Sequence, residues 1–266
     1  MAETQTAGVG TGPALGRVLL AQSDARQIPL RDASVHMICT SPPYYGLRQY
    51  DGIEPTIWDG EADCAHEWGV DIPQDSRHRY TCDNSGAKHT AIHHGAAVVS
   101  RGTSCQRCGA WYGCLGNEPV ADCLAWARGE APCPSCWVCH MRTVFAEAWR
   151  VLRSDGVLFV NIGDSYASAW PSHRRNIVGN GSLPNGKREA RPSMLSGALK
   201  EKDLCMMPAR LALALQADGW TLRQEIIWSK KNCMPESVRD RCTKSHETVF
   251  LFAKRSRYYF DSLVIA

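Results

Sequence analysis

The sequence predicts an α/β fold built on a mainly parallel sheet. Short apolar runs rich in β-branched residues, typical of buried strands, alternate with segments whose apolar residues recur at helical spacing. A chain of 266 residues, of which 44% are apolar, is long enough to bury a core between such elements. Ligands of these sheets bind beyond the carboxyl ends of the strands, so the loops that follow the strands are the candidate functional segments.

The N-terminal part begins with residues 1–14, which are rich in Thr, Gly and Ala and are predicted to form a disordered tail. Apolar runs then predict strands over 16–21 and 35–40. Residues 51–139 break this pattern, with scattered His, Cys, Gly and Asp and little periodicity. They are predicted to form an insertion that divides a catalytic domain made of residues 15–50 and 140–266. An insertion this polar is not expected to build an apolar core.

The C-terminal part returns to alternating helices and strands. A helix is predicted over 141–152, because its apolar residues share one face and Ser154-Asp155-Gly156 stops it. A second helix is predicted over 208–218, with Pro208 in its first turn and Gly219 at its end. Strands are predicted over 157–162, 221–229 and 247–253, and a polar loop over 171–200. Trp220 and Trp228 are expected to pack in the core.

The loop after the second strand has the sequence Thr40-Ser41-Pro42-Pro43-Tyr44. Because proline has no N–H group, this loop presents hydrogen-bond acceptors and few donors, followed by an aromatic ring. Ser41 Oγ and the Pro42 carbonyl can accept hydrogen bonds from an amino group, while Tyr44 stacks on a flat ring. Such acceptors would localise the nitrogen lone pair of a nucleobase amine, so that an electrophilic methyl group held in line can be transferred. The base would have to be flipped out of the duplex. A simple turn that closes a strand is the alternative.

Thirteen cysteines are many for this length, and no secretion signal precedes them. Metal binding is therefore expected rather than disulfides. The spacing predicts a tetrahedral zinc site of Cys64, His66, Cys105 and Cys108, and a second site of Cys123, Cys133, Cys136 and Cys139. A ribbon that pairs Cys105 and Cys108 with Cys133 and Cys136, or reduced buried thiols, remain alternatives. Either metal would be structural, because thiolate–metal bonds can supply folding energy.

The net charge of +3 does not by itself indicate nucleic acid, but the Lys and Arg pairs concentrate in the C-terminal half. This distribution favours a surface that follows phosphates. The apolar runs are too short to span a membrane, so no membrane association is expected.

Several short motifs together resemble the site-specific DNA amino-methyltransferases, which methylate cytosine N4 or adenine N6. The matching segments are Thr40–Arg48, Trp149–Arg153 with Asp155-Gly156, Asn161–Tyr166, Leu215–Trp220, Ile226–Lys230, Met234–Arg241, His246-Glu247 and Tyr258–Asp261. Their order, with the catalytic loop before the cofactor loop, is that of the β group of these enzymes. Phage and bacterial members commonly carry a Cys/His insertion after the catalytic loop, as here.

The resemblance implies a Rossmann-like sheet dependent on S-adenosylmethionine, double-stranded DNA as the partner, and a restriction–modification role in the cytoplasm of a bacterium or phage-infected host. Ser41, Pro42, Pro43 and Tyr44 would be catalytic, and Thr40, Asp164 and Ser165 would bind the cofactor. Asp164 fits equally well as a turn residue that caps the next segment. His246 and Glu247 are further pocket candidates, and Met234–Arg241 is a candidate DNA contact. Ser before the two prolines slightly favours cytosine N4.

The family's glycine-rich cofactor loop would be expected after Phe260-Asp261, and the sequence ends at Ala266. The sheet is therefore expected to be incomplete at its C-terminus. Three explanations stay open, namely truncation, a second polypeptide that supplies the glycine-loop half, and decay. A catalytically defective or split fragment that acts as a zinc-ribbon DNA-binding module is thus the alternative to an autonomous enzyme.

Overall fold

The computed structural model describes residues 18–46, 54–69, 73–74, 99–100, 102–167, 199–200, 202–233, 236 and 238–265. In chain order its strands are β1 Val35–Thr40, β2 Thr56–Trp58, β3 Pro73–Gln74, β4 Val99–Ser100, β5 Thr103–Ser104, β6 Trp111–Gly113, β7 Leu152–Ile162, β8 Thr221–Ser229 and β9 His246–Ala253. The helices are α1 Trp137–Val151, α2 Met207–Ala217 and α3 Ser262–Ile265. The predicted tail and most of the predicted loop over 171–200 lie outside the described residues.

The main sheet has the strand order β1-β7-β9-β8. β1 pairs in parallel with β7, whereas β9 runs antiparallel between β7 and β8. β1, β7 and β8 therefore point the same way, but parallel pairing within the described sheet is limited to β1 and β7. The expectation of a mainly parallel sheet is corrected to a mixed one, because the chain returns through β9 between two strands of the opposite direction. The α/β class itself is confirmed.

The core lies between one face of this sheet and the helices. Along β7, buried residues largely alternate with half-buried ones, as expected for a strand covered on one side. Trp220 connects the layers, because its ring packs edge-on against Trp149 of α1 and also against Phe252 of β9. Arg142 of α1 donates to both carboxylate oxygens of Asp218 at 2.8 and 2.6 Å, which holds α1 beside the end of α2.

Most predicted elements form close to their predicted bounds, with four differences. β7 begins at Leu152 rather than at residue 157, because Ser154-Asp155-Gly156 continues into the strand instead of forming a separate turn. α1 begins at Trp137 rather than at residue 141, since a cysteine-rich turn precedes it. The strand predicted over 16–21 is not formed over its described residues 18–21, which pair with no described strand and leave Val18 and Leu20 exposed. Trp220 is buried as expected, but Trp228 is 62% exposed, because it lies near the end of the edge strand β8.

The insertion contains a small antiparallel sheet with the order β2-β6-β5, and a separate pairing of β3 with β4. Trp58 and Trp111 of this small sheet are buried and both stack on His140 of α1. The expectation that the insertion builds no apolar core is therefore wrong. Its few large aromatic residues provide enough apolar area to pack against the first turn of α1. α1 also crosses the predicted boundary at residues 139 and 140.

Among the described residues, no helix has both the length and the apolar character needed to cross a membrane.

Candidate functional site

The Ser41–Tyr44 loop leaves the sheet at the carboxyl end of β1, immediately after Thr40, which pairs with Val160 of β7. Ser41 is exposed, Pro42 is buried, and Pro43 and Tyr44 are half-buried. The Pro43 carbonyl accepts a hydrogen bond from Trp137 Nε1 at 3.0 Å. Shortly after the prolines, the Gly46 amide donates to the Gly116 carbonyl at 2.8 Å. The loop is thus held at two points by residues outside it, with the Ser41 hydroxyl open to solvent.

A short chain of hydrogen bonds connects the loop to β9. Ser41 Oγ donates to Tyr44 Oη at 3.3 Å, and Tyr44 Oη donates to Glu247 Oε2 at 3.3 Å. The same carboxylate accepts from Asn161 Nδ2 at 3.2 Å and is paired with the Lys230 ammonium. Because the Ser41 proton is directed at Tyr44, the Ser41 lone pairs remain available to accept an N–H group.

Glu247 is the charged centre of this group. Burial raises the pKa of Glu247, but hydrogen bonds from Lys230, Asn161 and Tyr44 outweigh burial and leave the pKa below its ordinary value. The carboxylate is therefore ionised at neutral pH and fixes the position of the Tyr44 hydroxyl.

The loop after β7 lies directly against the loop after β1. A Cβ atom at Gly163 would lie 2.6 Å from Cε2 and 2.8 Å from Cδ2 of Tyr44, so the ring occupies the space that any other residue would fill. Because parallel strands β1 and β7 are neighbours, their carboxyl ends bring Tyr44 and Gly163 together. The predicted base site and the predicted cofactor site are therefore adjacent, with the contact between Tyr44 and Gly163 at their boundary.

Asp164 serves as a helix cap. Its Oδ1 accepts from the Met207 amide at 2.9 Å, at the start of α2, and from the Ser165 amide at 2.9 Å. Burial raises the pKa of Asp164, although both amide donors and the charge of Lys244 act in the opposite direction. The capping alternative considered from the sequence is thus the role seen in these contacts, and the cofactor role stays a prediction.

Two buried polar atoms at this edge lack strong partners. Asn161 Oδ1 is buried with no hydrogen-bond partner among the described residues. Ser165 Oγ is likewise buried, with only the weakly bonding thiol of Cys205 beside it in the described structure. These two atoms fit a polar ligand such as the amino-acid end of S-adenosylmethionine.

The first predicted metal set comes together around Cys105. The ligand atoms of Cys64, His66, Cys105 and Cys108 all lie within 4.8 Å of one another, with 3.9 Å between the sulfur atoms of Cys64 and Cys105. Burial of Cys105 is outweighed by N–H donors of the Cys108 backbone and of His66, which lower its pKa to about 6. Burial and neighbouring thiols raise the pKa of Cys64 to about 12.

The second predicted set is likewise assembled, and the alternative ribbon pairing is not formed. The sulfur atoms of Cys123, Cys133, Cys136 and Cys139 lie within 4.8 Å of one another, and those of Cys123 and Cys139 are 3.5 Å apart. Hydrogen bonds between the thiols lower the pKa of Cys133 and raise that of Cys136. Four thiolates this close repel one another, so a cation is required for all four to ionise.

Both sets fit zinc by their donor atoms and spacing. A tetrahedral zinc ion with Zn–S bonds of about 2.3 Å places its sulfur ligands about 3.8 Å apart. The distances of 3.9 Å and 3.5 Å between sulfur atoms in the two sets are close to this value.

Sequence reasoning missed several residues of the site. Trp137, Glu118 and His140 are fully buried beside the loop and the second cysteine set, yet each is an ordinary residue in its sequence context. The signal available for Trp137 was its position between Cys136 and Cys139. Glu247 was a pocket candidate, but its link to Lys230 through antiparallel β8 and β9 depends on strand register.

The predicted DNA-contacting segment, Met234–Arg241, is described only in part, since residues 234, 235 and 237 lie outside the described residues. Its Arg241 packs on the Tyr166 ring and is paired with Glu236.

Comparison with known proteins agrees with this geometry. The family profile described as DNA methylase, whose name covers N6 and N4 enzymes, matches residues 35–266. The chain belongs to the DNA methylase family. The resemblance found in the sequence is thereby confirmed at the level of the family, together with its Rossmann-like fold.

Individual relatives of this DNA methylase are type II methyltransferases. The chain is 50% identical over 119 residues to M.Cfr9I of Citrobacter freundii, which covers 45% of this chain and 38% of that protein. It is 48% identical over 118 residues to M.SmaI of Serratia marcescens, covering 44% and 39% respectively. It is 42% identical over 118 residues to M.SfiI of Streptomyces fimbriatus, covering 44% and 24%. The matched region thus spans about two-fifths or less of these relatives' length.

Proposed function

We propose that this DNA methylase transfers a methyl group from S-adenosylmethionine to the exocyclic amine of a base flipped out of duplex DNA, with cytosine N4 favoured over adenine N6. It would be the modification enzyme of a restriction–modification pair, as the names of its relatives suggest. The contact that carries the proposal is the packing of Tyr44 on Gly163, because it joins an acceptor-rich loop to a loop with unsatisfied buried polar atoms.

The protein's own groups would bind and orient the amine. Ser41 Oγ and the Pro42 carbonyl would accept its two N–H bonds, which localises the nitrogen lone pair towards the donor methyl. Tyr44, fixed by Glu247 and Gly163, would stack on the base. S-Adenosylmethionine supplies an electrophilic methyl group when bound. After transfer, the extra amine proton would pass to solvent through the exposed Ser41 hydroxyl.

The two cysteine sets would each hold a structural zinc ion. They offer no open coordination position beyond their four ligands, and methyl transfer to an amine needs no metal-activated water.

The test is the Ser41→Ala variant, assayed with labelled S-adenosylmethionine and duplex DNA. Methyl transfer is expected to fall about a hundredfold, because one acceptor for the amine is removed. DNA binding, measured by fluorescence anisotropy, should change little because Ser41 would contact only the flipped base.

Equal loss of transfer and DNA binding would show instead that Ser41 is structural. If the unmodified chain binds DNA but neither binds nor uses S-adenosylmethionine, the zinc-ribbon DNA-binding alternative holds.

A second experiment decides between cytosine N4 and adenine N6. The methylated DNA is hydrolysed, and mass spectrometry identifies whether the methyl group is on cytosine or on adenine.

A further inference from the structure

The second cysteine set, defined as Cys123, Cys133, Cys136 and Cys139, is connected to the catalytic loop by two separate routes. Both routes begin in the first turn of α1, where Trp137 and His140 alternate with the ligands Cys136 and Cys139. Cys136, the N-cap residue of α1, makes no side-chain capping hydrogen bond. The first amides of α1 are instead accepted by carbonyls of the segment that leads to Cys123, from Trp137 to Val120 at 2.9 Å and from Val138 to Ala121 at 3.2 Å, so the turn is held against another part of the same cysteine set.

The first route is a single hydrogen bond. Trp137 is fully buried, and its Nε1 donates to the Pro43 carbonyl at 3.0 Å. The proline ring already fixes φ of Pro43, so ψ is the free torsion that relates the Pro42 carbonyl to Tyr44. Because the peptide unit is planar, holding the Pro43 oxygen fixes this ψ. One indole N–H group thus restrains the backbone torsion that joins the amine acceptor at Pro42 to Tyr44, whose ring is held in turn by Gly163 and Glu247.

The second route holds the end of the loop. The Gly46 amide donates to the Gly116 carbonyl at 2.8 Å, and the Gly116 amide donates to Glu118 Oε2 at 2.9 Å. Glu118 Oε1 lies 3.0 Å from His140 Nδ1, and both side chains are fully buried. His140 Nε2 lies 2.8 Å from the Pro134 carbonyl, between two cysteines of the set. This chain of contacts is continuous from the loop to the cysteine set.

The first cysteine set differs in this respect. Its described hydrogen bonds stay inside the insertion, as between the Cys105 amide and the Ala110 carbonyl at 2.7 Å, or between Arg107 and Glu67 at 2.8 Å. None of those described reaches residues 41–46. The second set is thus joined to the loop by hydrogen bonds, whereas the first lies beside Trp111, which only stacks on His140 of the second route. The first set therefore serves as a control whose effect on the loop should be the weaker one.

We propose that a metal ion in the second cysteine set positions the catalytic loop through Trp137, and that Trp137 is a positioning residue for methyl transfer. The transfer itself rests on the proposed function, whereas the mechanical link between metal, Trp137 and loop does not. Zinc in the first set would stabilise the insertion without ordering the loop.

The test compares Trp137→Phe with Trp126→Phe in the full chain. Trp126 also lies beside the second set, but its Nε1 donates to Asp122 at 3.2 Å and not to the loop. Each variant removes one indole N–H group and keeps an aromatic ring. Trp137→Phe is expected to speed hydrogen exchange of the Tyr44–Gly46 amides about tenfold. It is also expected to lower kcat about tenfold or more, because the loop is less well positioned. KM for the methyl donor and the zinc content should stay unchanged. Trp126→Phe is expected to change neither exchange nor kcat.

A second pair of variants, Cys139→Ser and Cys108→Ser, tests the metal itself. Loss of zinc from the second set through Cys139→Ser should speed exchange at Gly46, whereas loss from the first set through Cys108→Ser should speed it much less, because no described hydrogen bond joins the first set to the loop. The proposal is overturned if the two Trp variants behave alike, or if Cys108→Ser loosens the loop as much as Cys139→Ser. Absence of methyl transfer by the unmodified chain would count against the proposed function alone. Hydrogen exchange of the loop amides would still measure whether the second cysteine set and Trp137 order the loop.

Discussion

At the scale of single residues, the position of Tyr44 is determined by two neighbours from other parts of the chain. Gly163 leaves room for its ring, and Glu247 holds its hydroxyl. Either neighbour can be changed without touching the Ser-Pro-Pro sequence, so each tests whether the ring has to be fixed.

Gly163→Ala is expected to displace the Tyr44 ring, because the new Cβ would lie 2.6 Å from Cε2. The free energy of unfolding should fall by about 1–3 kcal/mol, as for other overpacked sites. Methyl transfer should fall by about a hundredfold, since a small misplacement of a reacting group is costly. Urea unfolding and a radiolabel transfer assay measure the two effects. Wild-type transfer in this variant would show that the ring position is unimportant.

Glu247→Gln tests the role of the Glu247 carboxylate through the pH dependence of the free energy of unfolding. The pKa of Glu247 in the folded protein lies below its ordinary value of 4.5, so the ionised carboxylate stabilises the fold above that pH, and the contribution is lost as pH falls through the folded-state pKa. We expect the variant to be about 1 kcal/mol less stable at pH 7, where the Lys230 charge loses its partner. The difference should shrink in urea titrations below pH 4.5.

Glu225→Gln is the matched control for this change, because Glu225 is an exposed residue of the neighbouring strand β8. The free energy of unfolding of the Glu225→Gln variant should equal that of the wild-type protein over the same pH range. A difference between wild type and Glu247→Gln that stays constant down to pH 3 would contradict the pairing of Glu247 with Lys230.

At the scale of secondary-structure elements, α2 joins the loop after β7 to the core. Asp164 accepts the amide of its first residue, and Leu211 and Leu215 are fully buried on its inner side. Arg210 of the same helix donates to Asp122 at 2.9 Å, next to Cys123 of the second cysteine set. α2 therefore couples the sheet, the loop after β7 and the insertion.

Leu211→Ala and Leu213→Ala make the same substitution on opposite sides of α2. Leu211 is fully buried and Leu213 is 50% exposed. We expect Leu211→Ala to lower the free energy of unfolding by about 2–5 kcal/mol through the cavity that it leaves. Leu213→Ala should change it by less than about 0.5 kcal/mol. Equal effects in urea unfolding would show that α2 does not pack on the core as described.

At the scale of the whole molecule, the insertion is joined to the catalytic part rather than attached beside it. Trp58 and Trp111 of the insertion stack on His140 of α1, and the second cysteine set takes two of its ligands from the start of that helix. Metal binding and folding of the catalytic core are therefore expected to be coupled.

We expect the purified protein to contain two zinc ions, one for each cysteine set. Cys108→Ser and Cys123→Ser should each reduce the zinc content by about one ion per chain, measured by inductively coupled plasma mass spectrometry. Removal of all zinc by a chelator should unfold the insertion, because thiolate–metal bonds replace part of an apolar core. Full zinc content in both variants would contradict the assigned ligands.

Much of the fold could be predicted from periodicity, and the candidate site from side-chain chemistry. β1 and β8 occupy their predicted ranges, and the ligand atoms of both predicted metal sets lie close together. Short Cys spacings account only for neighbouring ligands, since Cys64 lies 41 residues before Cys105 in the chain. The antiparallel course of β9 and the exposure of Trp228 were not predictable, since both depend on which strands become neighbours. Over its described residues 18–21, the strand predicted at 16–21 does not form, because an apolar run forms a strand only where another strand pairs with it.

The sequence by itself determined the chemical groups of this protein, namely an acceptor-rich Ser-Pro-Pro-Tyr loop and two sets of side chains with the spacing of metal ligands. Residue type and short spacing within the loop and within each Cys pair are enough to identify these groups. Only the tertiary structure decided what holds them, because Trp137, Gly163 and Glu247 reach Pro43 and Tyr44 across roughly a hundred or more residues of chain through strand register and helix packing. The physical reason is that a hydrogen bond or a close ring contact is specified by three-dimensional position, which distant segments acquire only when the core is packed.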